Sequence, residues 1–195
     1  MRLLLVFTIF VVAKAIAADA AYSSVPHGYI VNKEAGKAYK VVYHAQTWAR
    51  AKMDCETHGA SLAVPKSQQE FHFMQRLVRG MYYPYVTGTR YKLLVWLGIS
   101  NTEDSNVWMN IDDEDINTTG YNKWASNNVT FRKRVTFFSS NDPMEPHCAG
   151  MDGVNPGLRE YWCHLHQPYI CQIKVQTFGQ PNYNNLNDIL EQPVD

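Results

Sequence analysis

Leu93-Leu94-Val95-Trp96-Leu97-Gly98-Ile99 is a continuous apolar run in the middle of a 195-residue chain. It is short enough to be a buried strand. Upstream, Tyr39-Lys40-Val41-Val42-Tyr43 is β-branched and aromatic and predicts another strand. Thr47 offers an N-cap hydroxyl, Trp48, Ala51 and Cys55 recur at helical spacing, and Gly59 can end the helix. A second helix is announced by the capping box Ser67-Gln68-Gln69-Glu70. Phe71, Met74, Leu77 and Val78 form its apolar face, which reads as core, and Gly80 stops it. Downstream, residues 101 to 146 are polar and read as long loops, which in a compact domain are usually functional or disordered. Tyr161-Trp162-Cys163-His164 and Tyr169-Ile170-Cys171-Gln172-Ile173 look like closing strands. Helices and strands do not alternate as βαβ units, so the fold class is α+β.

Composition is that of an ordinary globular protein, with 46% apolar, 13% aromatic and 18% charged residues. Eighteen basic and 18 acidic residues balance, which argues against nucleic-acid binding. Met1-Arg2, the apolar run Leu3 to Ala13, and the small residues Ala15-Ile16-Ala17 form the three-part pattern of a signal peptide. The run is too short to span a bilayer, which takes roughly 20 apolar residues. Cleavage is placed after Ala17, with Ala20 as the alternative. That removes Arg2 and Lys14 and leaves 16 basic against 18 acidic residues. Secretion is the expectation. It fits the even count of four cysteines and the sequons at Asn117 and Asn128. Domain limits are set at 1–17 for the signal peptide, 18–27 for a lead-in, 28–174 for the domain and 175–195 for a loose tail.

The landmarks fall in an ordered series: Trp48 to Cys55, His58-Gly59-Ala60-Ser61-Leu62-Ala63, Trp96-Leu97-Gly98-Ile99, Val107-Trp108-Met109-Asn110, Tyr121-Asn122-Lys123-Trp124, then Cys148, Cys163 and Tyr169-Ile170-Cys171. Together they resemble the short form of a C-type lectin-like domain over about residues 28 to 174. The single-domain secreted style resembles invertebrate immune lectins, including the insect haemolymph lipopolysaccharide-binding type. The resemblance implies two helices flanking antiparallel sheets, with long binding loops. It also selects, from three possible pairings, the disulfides Cys55–Cys171 and Cys148–Cys163. Such cross-links are typically worth about 2–4 kcal/mol in loop-entropy models, the longer loop more.

In sugar-binding members of that family, carboxylates and amides from three places hold one Ca²⁺, which prefers six to eight oxygen ligands. The nearest counterpart of the first place is Asp142-Pro143-Met144, where Asp142 offers an oxygen and Pro143 matches a cis-proline. Met144 offers only a soft thioether. A rival register puts Asn128-Val129-Thr130 there. Glu145 lies three residues before Cys148, near the expected ligand Glu. Counting back from Cys163, the third place reads Leu158-Arg159-Glu160, in which Glu160 keeps an oxygen and Arg159 brings a fixed cation. At about 4 Å and an effective dielectric near 20, a guanidinium repels Ca²⁺ by about 8 kcal/mol. Two states are therefore open: a degenerate calcium site of Asp142, Glu145 and Glu160, or an Arg159 pair with Glu145 or Asp142 in place of the ion.

Tyr161 and Trp162 offer aromatic faces for a sugar, with core packing as the alternative for Trp162. Arg132-Lys133-Arg134 is the sharpest basic cluster and suits lipopolysaccharide phosphates or a solvated loop. The run Asp112 to Asp115 reads as a solvated loop or an accessory Ca²⁺ site. His147, His164 and His166 lack an ordered zinc spacing. No hydrolase, metalloprotease or nucleotide-binding motif is present, so no enzymatic role is expected. Two binding readings follow. One is a secreted lectin for microbial glycans or lipopolysaccharide; the other is a degenerate lectin-like domain that contacts a protein partner without calcium.

Overall fold

The computed structural model describes residues 25–92, 94–125 and 145–175. The sequence readings for Asp142, Pro143, Arg132, Lys133, Arg134 and Asn128 lie outside these residues, as do those for the signal peptide and the tail beyond Val175. The elements run β1 (Ile30–Asn32), β2 (Lys37–Gln46), α1 (Trp48–Thr57), β3 (Ser61–Leu62), α2 (Gln68–Arg79), a 3-10 turn (Tyr83–Tyr85), β4 (Val95–Ser100), β5 (Met109–Asn110), β6 (His147–Met151), β7 (Arg159–Trp162) and β8 (Gln167–Lys174). The strands join in the order β1-β2-β8-β4-β6-β7, with β3 on β8 and β5 on β4. All named pairings are antiparallel except the single Trp96–Tyr169 bridge between β4 and β8.

β4 is buried on both faces, which is why its sequence shows no polar alternation. Val95, Leu97 and Ile99 face the cluster built on Phe71, Met74 and Val78 of α2. Leu94 and Trp96 face the cluster containing Trp48, Cys55, Tyr161 and Tyr169. Gly98 sits where a Cβ would lie 3.0 Å from the Leu62 carbonyl oxygen, so the residue between Leu97 and Ile99 has to be small. Trp48 of α1 donates its indole N–H to the Leu97 carbonyl at 2.7 Å, which ties the first helix to the central strand.

Both helix starts follow from their caps. Thr47 Oγ1 accepts from Arg50 N, and Ser67 Oγ accepts from Glu70 N. Glu70 does more than cap. It is 5% exposed, and its carboxylate accepts from Lys66 N at 2.6 Å and from the Tyr39 hydroxyl at 2.9 Å. Lys37 Nζ lies 2.8 Å from it. Burial, and then the Glu70 charge, push the Tyr39 hydroxyl far above its ordinary range.

The disulfides are Cys55–Cys171 and Cys148–Cys163, with Cα separations of 5.6 and 5.0 Å. The first ties α1 to β8 and the second ties β6 to the end of β7. Four strands are not expected from the sequence. β1 forms a hairpin with β2 just after the lead-in, β3 is a two-residue strand after α1, β5 interrupts the polar stretch, and β6 contains Gly and Ala where strand formers are expected.

Candidate functional site

β7 is the last strand of the sheet, and its hairpin with β6 carries most of the described candidate residues. Gly150 pairs with Arg159, Ala149 with Glu160, Cys148 with Tyr161 and His147 with Trp162. Successive side chains alternate in direction, so Arg159 and Tyr161 share one face and Glu160 and Trp162 the other.

Arg159 is largely buried, with its side chain 17% exposed. Its Nη1 donates to Asp152 Oδ2 at 2.6 Å and its Nη2 to the Tyr161 hydroxyl at 2.9 Å. Asp152 also organises the β6–β7 turn. Its Oδ1 accepts from Val154 N and Asn155 N at 2.8 and 2.6 Å, and its Oδ2 from the Asn155 amide at 2.6 Å. Burial works to raise its pKa. The Asn155 and Val154 donors and the Arg159 guanidinium outweigh that and hold Asp152 below its ordinary 3.8. Helix α2 braces the turn: Gln75 Nε2 donates to the Asn155 carbonyl at 2.8 Å, and Arg79 Nε to the Gly153 carbonyl at 2.5 Å.

Among the described residues the partner of Arg159 is Asp152 and not Glu145; the other expected partner, Asp142, lies outside them. The reason is the ladder. Glu145 precedes β6 by two residues and Arg159 faces Gly150, so five residues separate them along the strand, about 16 Å at strand rise. Glu145 instead pairs with His164 Nδ1 at the far end. Its second oxygen, Oε2, is buried and has no hydrogen-bond partner. Glu160 is exposed. Tyr161, expected as a sugar-stacking face, is 6% exposed and packs in the core, where the Arg159 guanidinium lies over its ring, 5.3 Å from the centroid, and bonds its hydroxyl. Trp162 is half-buried and packs against the same cluster and against His147, ring centroids 5.6 Å apart.

The described residues alone do not make a calcium site. Among the described residues no three His, Cys, Asp or Glu side chains come together to hold a metal. Among the described residues Glu145 Oε2 is buried without a hydrogen bond and Glu160 is exposed, where Ca²⁺ takes six to eight ligands; Asp152 is held by a guanidinium, and Asp142 lies outside the described residues. The acidic run at 112–115 is also engaged. Lys66 Nζ lies 2.9 Å from Asp112 Oδ2 and bonds Glu114, while the Asn110 amide donates to Glu114 at 2.9 Å. A tethered ammonium occupies the place between these carboxylates that an accessory cation would take. The hydrogen bond from Lys66, then that from Asn110, lowers the Glu114 pKa. Asp152 was missed in the sequence. Its signal is the Asp-Gly pair just after β6, a turn dipeptide whose Asp caps backbone donors. A second missed feature is the exposed tyrosine segment at 82–91.

The Lectin C-type domain family matches residues 44–173. The chain is 27% identical over 158 residues to Lactose-binding lectin l-2 of Anguilla japonica, covering 77% of this chain and 78% of that one. It is 23% identical over 152 residues to the Hemolymph lipopolysaccharide-binding protein of Periplaneta americana, covering 78% of this chain; the chain spans about half (54%) of that relative's length. Among solved structures, the Ca²⁺-independent C-type lectin SPL-2 from Saxidomus purpuratus superposes with a TM-score of 0.54 at 20% identity, over 76% of this chain and 93% of that one. Domains of this family are non-enzymatic and carbohydrate-binding. By the match over two thirds of its length, on top of the paired disulfides and the buried Trp96-Leu97-Gly98-Ile99 strand, the chain belongs to the C-type lectin domain family.

Proposed function

We propose that this chain is a secreted lectin that binds microbial surface glycans or lipopolysaccharide without a calcium ion on β7. The observation that carries the reading is the Arg159–Asp152 pair, 2.6 Å apart and largely buried. It puts a fixed cation on the strand where sugar-binding members keep ion ligands, with its counter-ion in the preceding turn. A guanidinium in that place is a rigid donor suited to sugar hydroxyls and to phosphate oxygens. The lactose-binding and lipopolysaccharide-binding relatives support a glycan ligand. Arg132, Lys133 and Arg134 add positive charge for an anionic one. Secretion is supported by the two disulfides. Among the described residues, no helix is long and apolar enough to cross a membrane. Asn117 is exposed on a turn capped by Asp115 and is proposed as an N-glycan acceptor. A mass shift on enzymatic deglycosylation that disappears in Asn117→Gln checks it.

The test is binding of the purified mature chain to bacterial cells, lipopolysaccharide and a sugar panel, each in Ca²⁺ and in EDTA. Equal binding in both is expected. Binding abolished by EDTA contradicts the reading and returns the ion to Asp142, Glu145 and Glu160. No binding to any of them favours a protein partner.

A further inference from the structure

Seven large hydrophobic side chains are exposed among the described residues, and four of them are tyrosines within one short segment: Tyr82, Tyr83, Tyr85 and Tyr91, at 58, 40, 69 and 49% exposure. Isolated exposed apolar residues need no explanation, but a contiguous group does. Tyr82 and Tyr85 form a contiguous pair with Tyr43, and Tyr91 follows six residues later in the same segment. Tyr82 and Tyr85 meet edge to face with ring centroids 4.7 Å apart, and Tyr85 lies 6.5 Å from the Tyr43 ring. Lys92, next to Tyr91, donates from Nζ to the Tyr83 carbonyl at 2.5 Å.

The platform is also held in place. Pro84 is the second residue of the 3-10 turn, whose bonds run from Tyr85 N to the Tyr82 carbonyl and from Val86 N to the Tyr83 carbonyl. Met81 and Val86 are buried on either side of it, both 6% exposed. Thr87 N donates to the Tyr43 carbonyl and Ala45 N to the Thr87 carbonyl, stitching the segment to β2. Tyrosine faces presented on a rigid support lose little entropy on binding.

Charge selects the partner. From Phe71 to Thr102 the chain has no Asp or Glu but holds Arg76, Arg79, Arg90 and Lys92. Arg90 is exposed and makes no ion pair among the described residues. The acidic group near the platform is Asp152, which acts on the Tyr83 hydroxyl and is itself paired with Arg159. Flat aromatic faces with hydroxyl edges suit the C–H faces of pyranose rings. The neighbouring cations suit sulfate, phosphate or carboxylate groups on the same chain.

We infer that Tyr82, Tyr85 and Tyr91, with Arg90 and Lys92, form a second binding surface, separate from β7, for an anionic polysaccharide. The test measures binding of the full mature chain in EDTA to heparin, as the sulfated chain, and to neutral dextran of similar length. A Tyr82→Ser/Tyr85→Ser variant is compared with Met53→Ser, which removes an exposed apolar side chain on α1. Thermal melting checks that all fold. Heparin binding that Met53→Ser retains and the double tyrosine variant weakens at least about tenfold is expected. It should also fall as salt rises. Unchanged heparin binding by the double variant overturns the inference, as does equal binding to dextran. Binding to anionic phospholipid vesicles but not to heparin assigns a lipid surface and overturns it too. An Arg159→Gln background keeps the two surfaces apart: any heparin binding lost in it belongs to β7, and the weakening by Tyr82→Ser/Tyr85→Ser is expected to persist there; its disappearance in that background counts against a separate surface.

Discussion

Arg159 and Asp152 set the behaviour of the β6–β7 hairpin in acid. Asp152 is held below its ordinary 3.8 in the fold, so its contribution to stability is present above about pH 4 and is lost as pH falls through the lowered value. Replacing Arg159 with Leu leaves a buried carboxylate with only its Asn155 and Val154 donors. We expect a loss of about 1–3 kcal/mol at neutral pH, read by urea unfolding. The acid-induced loss should also be shallower than in the parent, because Arg159 no longer holds the Asp152 pKa down. A variant with the parent's stability at every pH contradicts the pairing. Arg159 was legible in the sequence as a cation in an ion-binding position. Its partner was not, because that depends on strand register, and register moves Glu145 to the far end of the ladder while the turn brings Asp152 back.

At the scale of the element, β6 is limited by close approach. A Cβ on Gly150 would lie 2.5 Å from the Val95 carbonyl oxygen and also meet the Leu94 side chain. Gly150→Ala must push β4 and β6 apart, and we expect a loss of about 2–3 kcal/mol with a lowered Tm. A melt equal to the parent's contradicts the packing. Ser67→Ala removes the α2 cap and should cost about 1 kcal/mol. The helices were legible because caps and apolar stripes are local signals, and Thr47, Ser67 and Gly80 lie where those signals put them. β6 was not legible. Ala149 and Gly150 are chosen by what lies across the sheet, which a local reading does not contain. The same holds for Tyr161: its aromatic character was visible, but its burial follows from the second core cluster.

For the whole molecule, the two cross-links carry unequal weight. Cys55–Cys171 closes 116 residues and Cys148–Cys163 closes 15. In loop-entropy models, removing the first by Cys55→Ala/Cys171→Ala costs about 4–5 kcal/mol and removing the second about 3 kcal/mol. Denaturant midpoints of the two double variants check the order; the reverse order contradicts it. The pairing was legible only through the resemblance, since four cysteines alone allow three arrangements. The central claim is that a guanidinium on β7, paired with a carboxylate of the preceding turn, stands where an ion would, and calcium itself tests it. The measurement is thermal unfolding of the purified mature chain in millimolar Ca²⁺ and in EDTA. A ligand held only by the folded state raises Tm by mass action. The expected result is the same Tm in both. A rise in Ca²⁺ that disappears in Glu145→Gln or Glu160→Gln would contradict it.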